Sequence, residues 1–130
     1  MAEPFARKVL LVEDDDTIRP MMARRLTLRG FEVTAVSTGE EAVAAARAER
    51  PGVVVMDLRL PGMSGWEAAS AIRADSATSI VPLVALTAHV SADDREQART
   101  LGCESFFLKP VDFQALVQRL EELMHPQEKS

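Results

Sequence analysis

The chain has 130 residues, enough for one domain with a two- or three-layer core and too few for two. Apolar residues make up 47% and charged residues 27%, an ordinary balance for a globular protein, and no apolar run approaches the roughly 18 residues a membrane helix needs. A formal charge of −5 argues against a surface built to neutralise nucleic-acid phosphates, and the single cysteine, Cys103, excludes a disulfide framework and fits a reducing, cytoplasmic setting.

Residues 1–7 lack the apolar core of a secretory signal and read as an N-terminal segment. Residues 8–124 read as the folded domain and 125–130 as a short polar tail. Met1 is expected to be a natural start, and a longer parent protein continuing past His125 is left open. Within the domain, Val9 to Val12 predicts a buried strand running into Glu13-Asp14-Asp15-Asp16. A helix follows with apolar positions at Ile18, Met21, Met22 and Leu26. Pro20 falls in or just past its first turn, where helix amides have no intrahelical partner anyway. Gly30 marks its end, and Glu32 to Val36 predicts a short strand.

Thr38 with Glu41 forms a capping-box pattern that opens an alanine-rich helix to about Glu49, stopped before Pro51. Val53 to Met56 is uninterruptedly apolar, as in a strand buried on both faces, and it ends on Asp57. Pro61, Gly62 and Gly65 predict a sharp loop, and Ser64 with Glu67 caps a third helix to about Ala74, with Trp66, Ala69 and Ile72 on one side. Val81 to Leu86 predicts a fourth strand ending on Thr87, with Pro82 near its start. Ser91 with Asp94 caps a fourth helix whose apolar face, Ala98 and Leu101, is thin, so this helix is expected to be the least firmly held. Ser105 to Leu108 predicts the fifth strand, leading to Lys109-Pro110. Asp112 caps a last helix with Phe113, Leu116, Val117, Leu120, Leu123 and Met124 at helical spacing.

Five alternating strand–helix units predict an α/β fold, a doubly wound five-stranded parallel sheet with helices on both faces. If the order is 2-1-3-4-5, the first and third strands are neighbours at the switch point, and Glu13, Asp14 and Asp57 converge at the carboxyl edge where ligands bind in such sheets. Three carboxylates that close repel one another, and a hard divalent cation with oxygen ligands, Mg²⁺ above all, relieves the repulsion.

With those strand-end residues in place, the chain resembles the response-regulator receiver domain of two-component signalling, over roughly Lys8 to Met124. The resemblance rests on Val12-Glu13-Asp14, Met56-Asp57 with Pro61 and Gly65, Ala85-Leu86-Thr87-Ala88, and Lys109-Pro110. It implies the flavodoxin-like strand order 2-1-3-4-5 of a chemotaxis-regulator-like single domain. It also implies a Mg²⁺-dependent switch, Mn²⁺ being the second candidate, in which Asp57 accepts a phosphoryl group from a histidine of a sensor kinase or phosphotransfer protein. Asp14 is implied to bind the metal directly and Glu13 through water, with Asp57 and the carbonyl of Arg59 as further ligands. Lys109 and Thr87 are implied to hold phosphoryl oxygens, and Phe106 to be the aromatic switch residue, lacking the hydroxyl of the tyrosine often found there. Arg59 and His89 are implied to tune how long the phosphoryl group lasts, and Lys109-Pro110 to be a cis peptide. The fourth helix, fifth strand and fifth helix are implied to form the surface that changes, read by a downstream protein the sequence does not name. The domain itself is expected to bind neither nucleic acid nor membrane and to catalyse only its own phosphorylation and dephosphorylation.

The competing reading is an aspartate-nucleophile phosphatase of the haloacid-dehalogenase kind, with Asp14-x-Asp16, Thr87, Lys109 and Asp93-Asp94 as its parts. Its acidic pair should follow the lysine, and here it precedes it. A flavin carrier of the same fold class lacks stacking residues, with no tyrosine and one tryptophan, and a receiver reduced to a binding module would not keep every named residue.

Overall fold

The computed structural model describes residues 7–88 and 91–124. Five strands, β1 (Lys8–Val12), β2 (Glu32–Val36), β3 (Val53–Asp57), β4 (Leu83–Thr87) and β5 (Cys103–Leu108), alternate with five helices, α1 (Ile18–Leu28), α2 (Gly39–Glu49), α3 (Gly65–Ala74), α4 (Ala92–Thr100) and α5 (Phe113–Met124). The strands form one parallel sheet in the order β2-β1-β3-β4-β5, as expected. All five residues of β3 and all five of β4 are buried, which is what central strands covered on both sides require.

Alternation along the strands divides the core in two. Val9, Leu11, Val53, Val55, Val84 and Leu86 face α1 and α5, where Met22, Leu26, Leu116 and Leu120 pack. Leu10, Val12, Val54, Met56 and Leu83 face α2 and α3, where Ala42, Ala46, Ala68, Ala69 and Ile72 pack. Burying a leucine- or valine-sized side chain contributes about 1.5–3 kcal/mol, so the two layers carry most of the drive to fold.

The helix ends follow the local sequence. Thr38, Ser64 and Ser91 each form a complete capping box, with Glu41, Glu67 and Asp94 respectively. The first helix is capped differently: Asp15 Oδ1 accepts from the amides of Thr17 and Ile18, both at 2.8 Å. That gives the middle of the acidic run a purely structural task. Arg73 performs another, donating to the carbonyls of Ser79, Val81, Leu101 and Gly102, and so fastens α3 to the turn between α4 and β5.

Several boundaries differ from the sequence reading. The strand expected from Val81 starts at Leu83, because the Val81 amide turns back to the Thr78 carbonyl at 3.2 Å; Pro82 therefore lies outside the strand. The fifth strand begins earlier, at Cys103, after a left-handed Gly102. On α3 the residue buried with Ala69 and Ile72 is Ala68, and Trp66 is half-buried. Only Ala98 of the nine residues of α4 is buried, in keeping with its thin apolar face.

Asp15, Glu41 and Asp75 are all held below the ordinary carboxyl range: Asp15 by the amides of Ile18 and Thr17, Glu41 by the amide and hydroxyl of Ser37, Asp75 by the amide of Ala77 and then by Arg47. A carboxyl with a lower pKa folded than unfolded contributes stability that is complete above its unfolded value and is lost as pH falls through the folded one. Thermal midpoints should therefore stay nearly level down to about pH 5 and then drop steadily toward about pH 3. Scanning calorimetry across that range checks this, and a midpoint that climbs on acidification contradicts it.

Candidate active site at the carboxyl edge of the sheet

The expected site residues arrive at one edge because the strands are parallel and in register. Val12 pairs with Met56, Asp57 with Leu86, and Thr87 with Leu108, so Glu13, Asp57, Thr87 and Lys109 sit at or just past neighbouring strand ends. Glu13 is fully buried and Asp57 is 5% exposed, whereas Asp14 faces solvent. The three offer carboxylate oxygens that all lie within 4.8 Å of one another.

Asp57 is held at both oxygens. Its Oδ1 accepts from the amide of Arg59 at 2.8 Å, and its Oδ2 from Lys109 Nζ at 2.7 Å. Lys109 Nζ also lies 2.9 Å from Glu13 Oε1. That second contact is an ion pair without hydrogen-bond alignment, so Glu13 Oε1 is a buried oxygen that receives no hydrogen bond. Glu13 Oε2 accepts from the Asp15 amide at 3.1 Å. Burial raises the Glu13 carboxyl above its ordinary value, outweighing the contacts with Lys109 and the Asp15 amide. On Lys109, burial works to lower the pKa, but the bond to Asp57, the contact with Glu13 and the charges of both outweigh it, so the ammonium is held above its ordinary value and stays charged at neutral pH.

An all-oxygen donor set, with one buried oxygen left unbonded and one carboxylate open to water, fits a hard divalent cation. The residues present therefore suit Mg²⁺.

The loop after Asp57 is built around a close approach. A Cβ on Gly65 would come within 2.4 Å of the Asp57 carbonyl oxygen and 2.6 Å of Leu58 Cα, so only glycine lets α3 start against the strand end. The Gly65 amide closes the loop by donating to the Leu58 carbonyl at 3.1 Å. Thr87, the last residue of β4, is buried, and its carbonyl accepts from the Lys109 amide at 2.9 Å. The Lys109-Pro110 peptide is cis, as expected.

Arg59 points outward and pairs with Asp94 of α4, its Nη2 lying 3.4 Å from Oδ2. His89 lies outside the described residues. Phe106 is half-buried beside Arg95, Ala98 and Arg99 of α4, while Phe107 packs against the α1–α5 core. Cys103 is half-buried, and burial raises its thiol pKa, which keeps it protonated. Sequence reasoning missed Arg19, which donates to the Glu13 carbonyl at 3.0 Å and pairs with Asp16 at 2.8 Å, fixing the loop that carries Glu13 and Asp14. The i, i+3 spacing of Asp16 and Arg19 was the only signal for it.

Comparison with known proteins decides what this edge belongs to. Residues 9–121 match the family described as the response regulator receiver domain. The chain belongs to that family. Among similar proteins are PilH of Pseudomonas aeruginosa, 29% identical over 90% of this receiver domain and 97% of PilH, and the probable transcriptional regulatory protein TcrX of Mycobacterium tuberculosis, 34% identical over 89% of the chain and 49% of TcrX. The chain thus spans about half the length of curated relatives such as TcrX. The receiver domain of the sensor histidine kinase PA1611 of P. aeruginosa, solved with magnesium in its active-site cleft, superposes with a TM-score of 0.83 at 33% identity over 91% of this chain and 97% of that one.

Receiver domains are signalling domains that take phosphoryl groups from histidine kinases or phosphotransfer proteins, and this one is a phosphorylation-activated switch of that kind. The phosphatase alternative falls with the family match, and the acid pair it required, Asp93 and Asp94, occupies the first turn of α4. Among the described residues no helix is long and apolar enough to cross a membrane.

Gly65→Ala should destabilise the fold by about 1–3 kcal/mol, because backbone rather than a flexible side chain must give way. In urea unfolding the midpoint falls and the slope stays constant; an unchanged midpoint means the loop relaxes freely.

Proposed function

We propose that Asp57 is the phosphoacceptor, attacking the phosphorus of a phosphohistidine on a sensor kinase or phosphotransfer protein. A bond forms between an Asp57 carboxylate oxygen and phosphorus, the P–N bond to the imidazole breaks, and the ring nitrogen keeps its electron pair. The observation that carries the reading is the Lys109 ammonium 2.7 Å from Asp57 Oδ2, at a sheet edge where Glu13 and Asp14 bring oxygens within 4.8 Å.

Glu13, Asp14, Asp57 and the Arg59 carbonyl would hold Mg²⁺, or Mn²⁺ in its place; PA1611, a relative in structure, carries magnesium in its cleft. When bound, the cation neutralises charge on the oxygens of the transferring phosphoryl group. The chain's own residues do the positioning. The Arg59 amide and Lys109 orient the Asp57 carboxylate from its two sides, and Lys109 adds a positive charge where phosphoryl oxygens arrive. Thr87, on the strand next to Asp57, offers a hydroxyl to the same group. Lys109 must then exchange part of its carboxylate bonding for the phosphoryl, and Thr87 moves toward it, leaving room for the Phe106 ring. The α4–β5–α5 surface changes in consequence and is read by a downstream protein. Arg59 and His89 tune how fast water removes the phosphoryl, so the domain promotes both its own phosphorylation and its own dephosphorylation while acting on no other substrate. Nucleic-acid contact belongs to a partner or a further domain rather than to this acidic one.

Incubation with Mg²⁺ and acetyl phosphate should add one phosphoryl group, read by intact mass. Asp57→Asn and chelation of the metal with EDTA should each abolish the addition, and labelling that survives Asp57→Asn refutes the assignment.

A further inference from the structure

The Asp94 carboxylate serves two partners with one oxygen. Its Oδ2 accepts from the Ser91 amide at 3.3 Å, completing the capping box of α4, and from Arg59 Nη2 at 3.4 Å. Arg59 belongs to the loop that follows the acceptor, and its own amide is bonded to Asp57 Oδ1. One ion pair therefore joins the acceptor loop to the first turn of a helix that buries only Ala98. The Asp94 side chain is 13% exposed, whereas that of Arg59 is 58% exposed and has room to swing.

We infer that Arg59–Asp94 is a tether that phosphorylation exchanges: Asp94 holds the guanidinium on α4 in the unmodified protein, and a phosphoryl group on Asp57 takes it away. The inference rests on Asp57 being the acceptor. The argument is one of competing charge. A phosphoryl group brings about −1.5 to −2 units and three acceptor oxygens to a position two residues from Arg59, against the single charge of Asp94. Guanidinium binds phosphate oxygens through two parallel N–H bonds, whereas on Asp94 it makes one long contact. Two other cations described at this edge are already committed, Lys109 to Asp57 and Glu13 and Arg19 to the Glu13 carbonyl and Asp16, so of these three Arg59 changes partners with the smallest loss. When it leaves, the capping box survives and α4 loses its link to the acceptor loop. Asp94 is thus a positioning residue, acting on the phosphoryl only through Arg59.

Linkage gives the test. If modification of Asp57 releases the pair, breaking the pair by mutation must favour modification to the same degree. Asp94→Asn keeps a capping oxygen for the Ser91 amide and removes the charge. With acetyl phosphate and Mg²⁺ taken to equilibrium, Asp94→Asn should hold a several-fold higher ratio of labelled to unlabelled protein than the wild type, and the gain should vanish in Arg59→Met/Asp94→Asn, since it acts through the guanidinium. Hydrogen exchange in α4 of unphosphorylated Asp94→Asn and of unphosphorylated Arg59→Met should match that of the phosphorylated wild type, and labelling should accelerate neither variant further.

Exchange in α4 that is unchanged in both variants overturns the tether. So does loosening in Asp94→Asn but not in Arg59→Met, since that assigns the effect to the helix cap. A labelling gain that persists in the double variant overturns it too. Failure of the wild type to take any phosphoryl group on Asp57 is a separate result: it removes the acceptor assignment, and the tether with it.

Discussion

One ammonium group makes the rest of this structure possible. Glu13 and Asp57 are buried carboxylates at adjacent strand ends, and Lys109 lies within 2.9 Å of one and 2.7 Å of the other. Removing one member of a buried ion pair typically destabilises a protein by about 3–5 kcal/mol, because the remaining charge stays desolvated and unmatched. An acidic cluster of this density survives folding because the lysine reaches back from the end of β5 across the strand between. The same arrangement leaves Glu13 Oε1 buried without a hydrogen bond, paired with the ammonium by charge alone.

The sheet keeps the reactive parts fixed, while the parts meant to respond are loosely attached. β3 and β4 are buried along their whole length, so the backbone that carries Asp57 and Thr87 cannot shift without disturbing both core layers, and movement there is left to side-chain rotation. β5 is an edge strand with half-buried aromatic residues, and α4 rests on it with one buried alanine. Elements drawn from the low-stability end of a fold are the ones that small energies can move. A phosphoryl group therefore acts on a rigid floor and a compliant wall.

Much of this was legible in the chain, for reasons that differ by residue. The strand β3 declared itself because residues buried on both faces are apolar without interruption, and the capping boxes at Thr38, Ser64 and Ser91 are four-residue patterns that act locally. The convergence of Glu13, Asp14 and Asp57 followed once the strand order was carried over from the family. Pairings between distant side chains did not show. Arg59 meets Asp94 across 35 residues, and Arg73 gathers four carbonyls from two separate loops; neither leaves a periodic trace. The pairing of β4 with β5 skips Glu104, an irregularity that no local pattern in the sequence announced.

The Arg73 clamp has a mechanical corollary. By binding the carbonyls of Leu101 and Gly102 it pins the trailing end of α4 to the body of the molecule. Nine residues of helix make a rod of about 13 Å, so a tilt of about 10° about that pivot sweeps the opposite end through roughly 2 Å. The swinging tip is the one beside the acceptor loop. Any tilt of α4 about that pivot is thus greatest beside the acceptor loop and fades toward the hinge, which is the geometry of a lever.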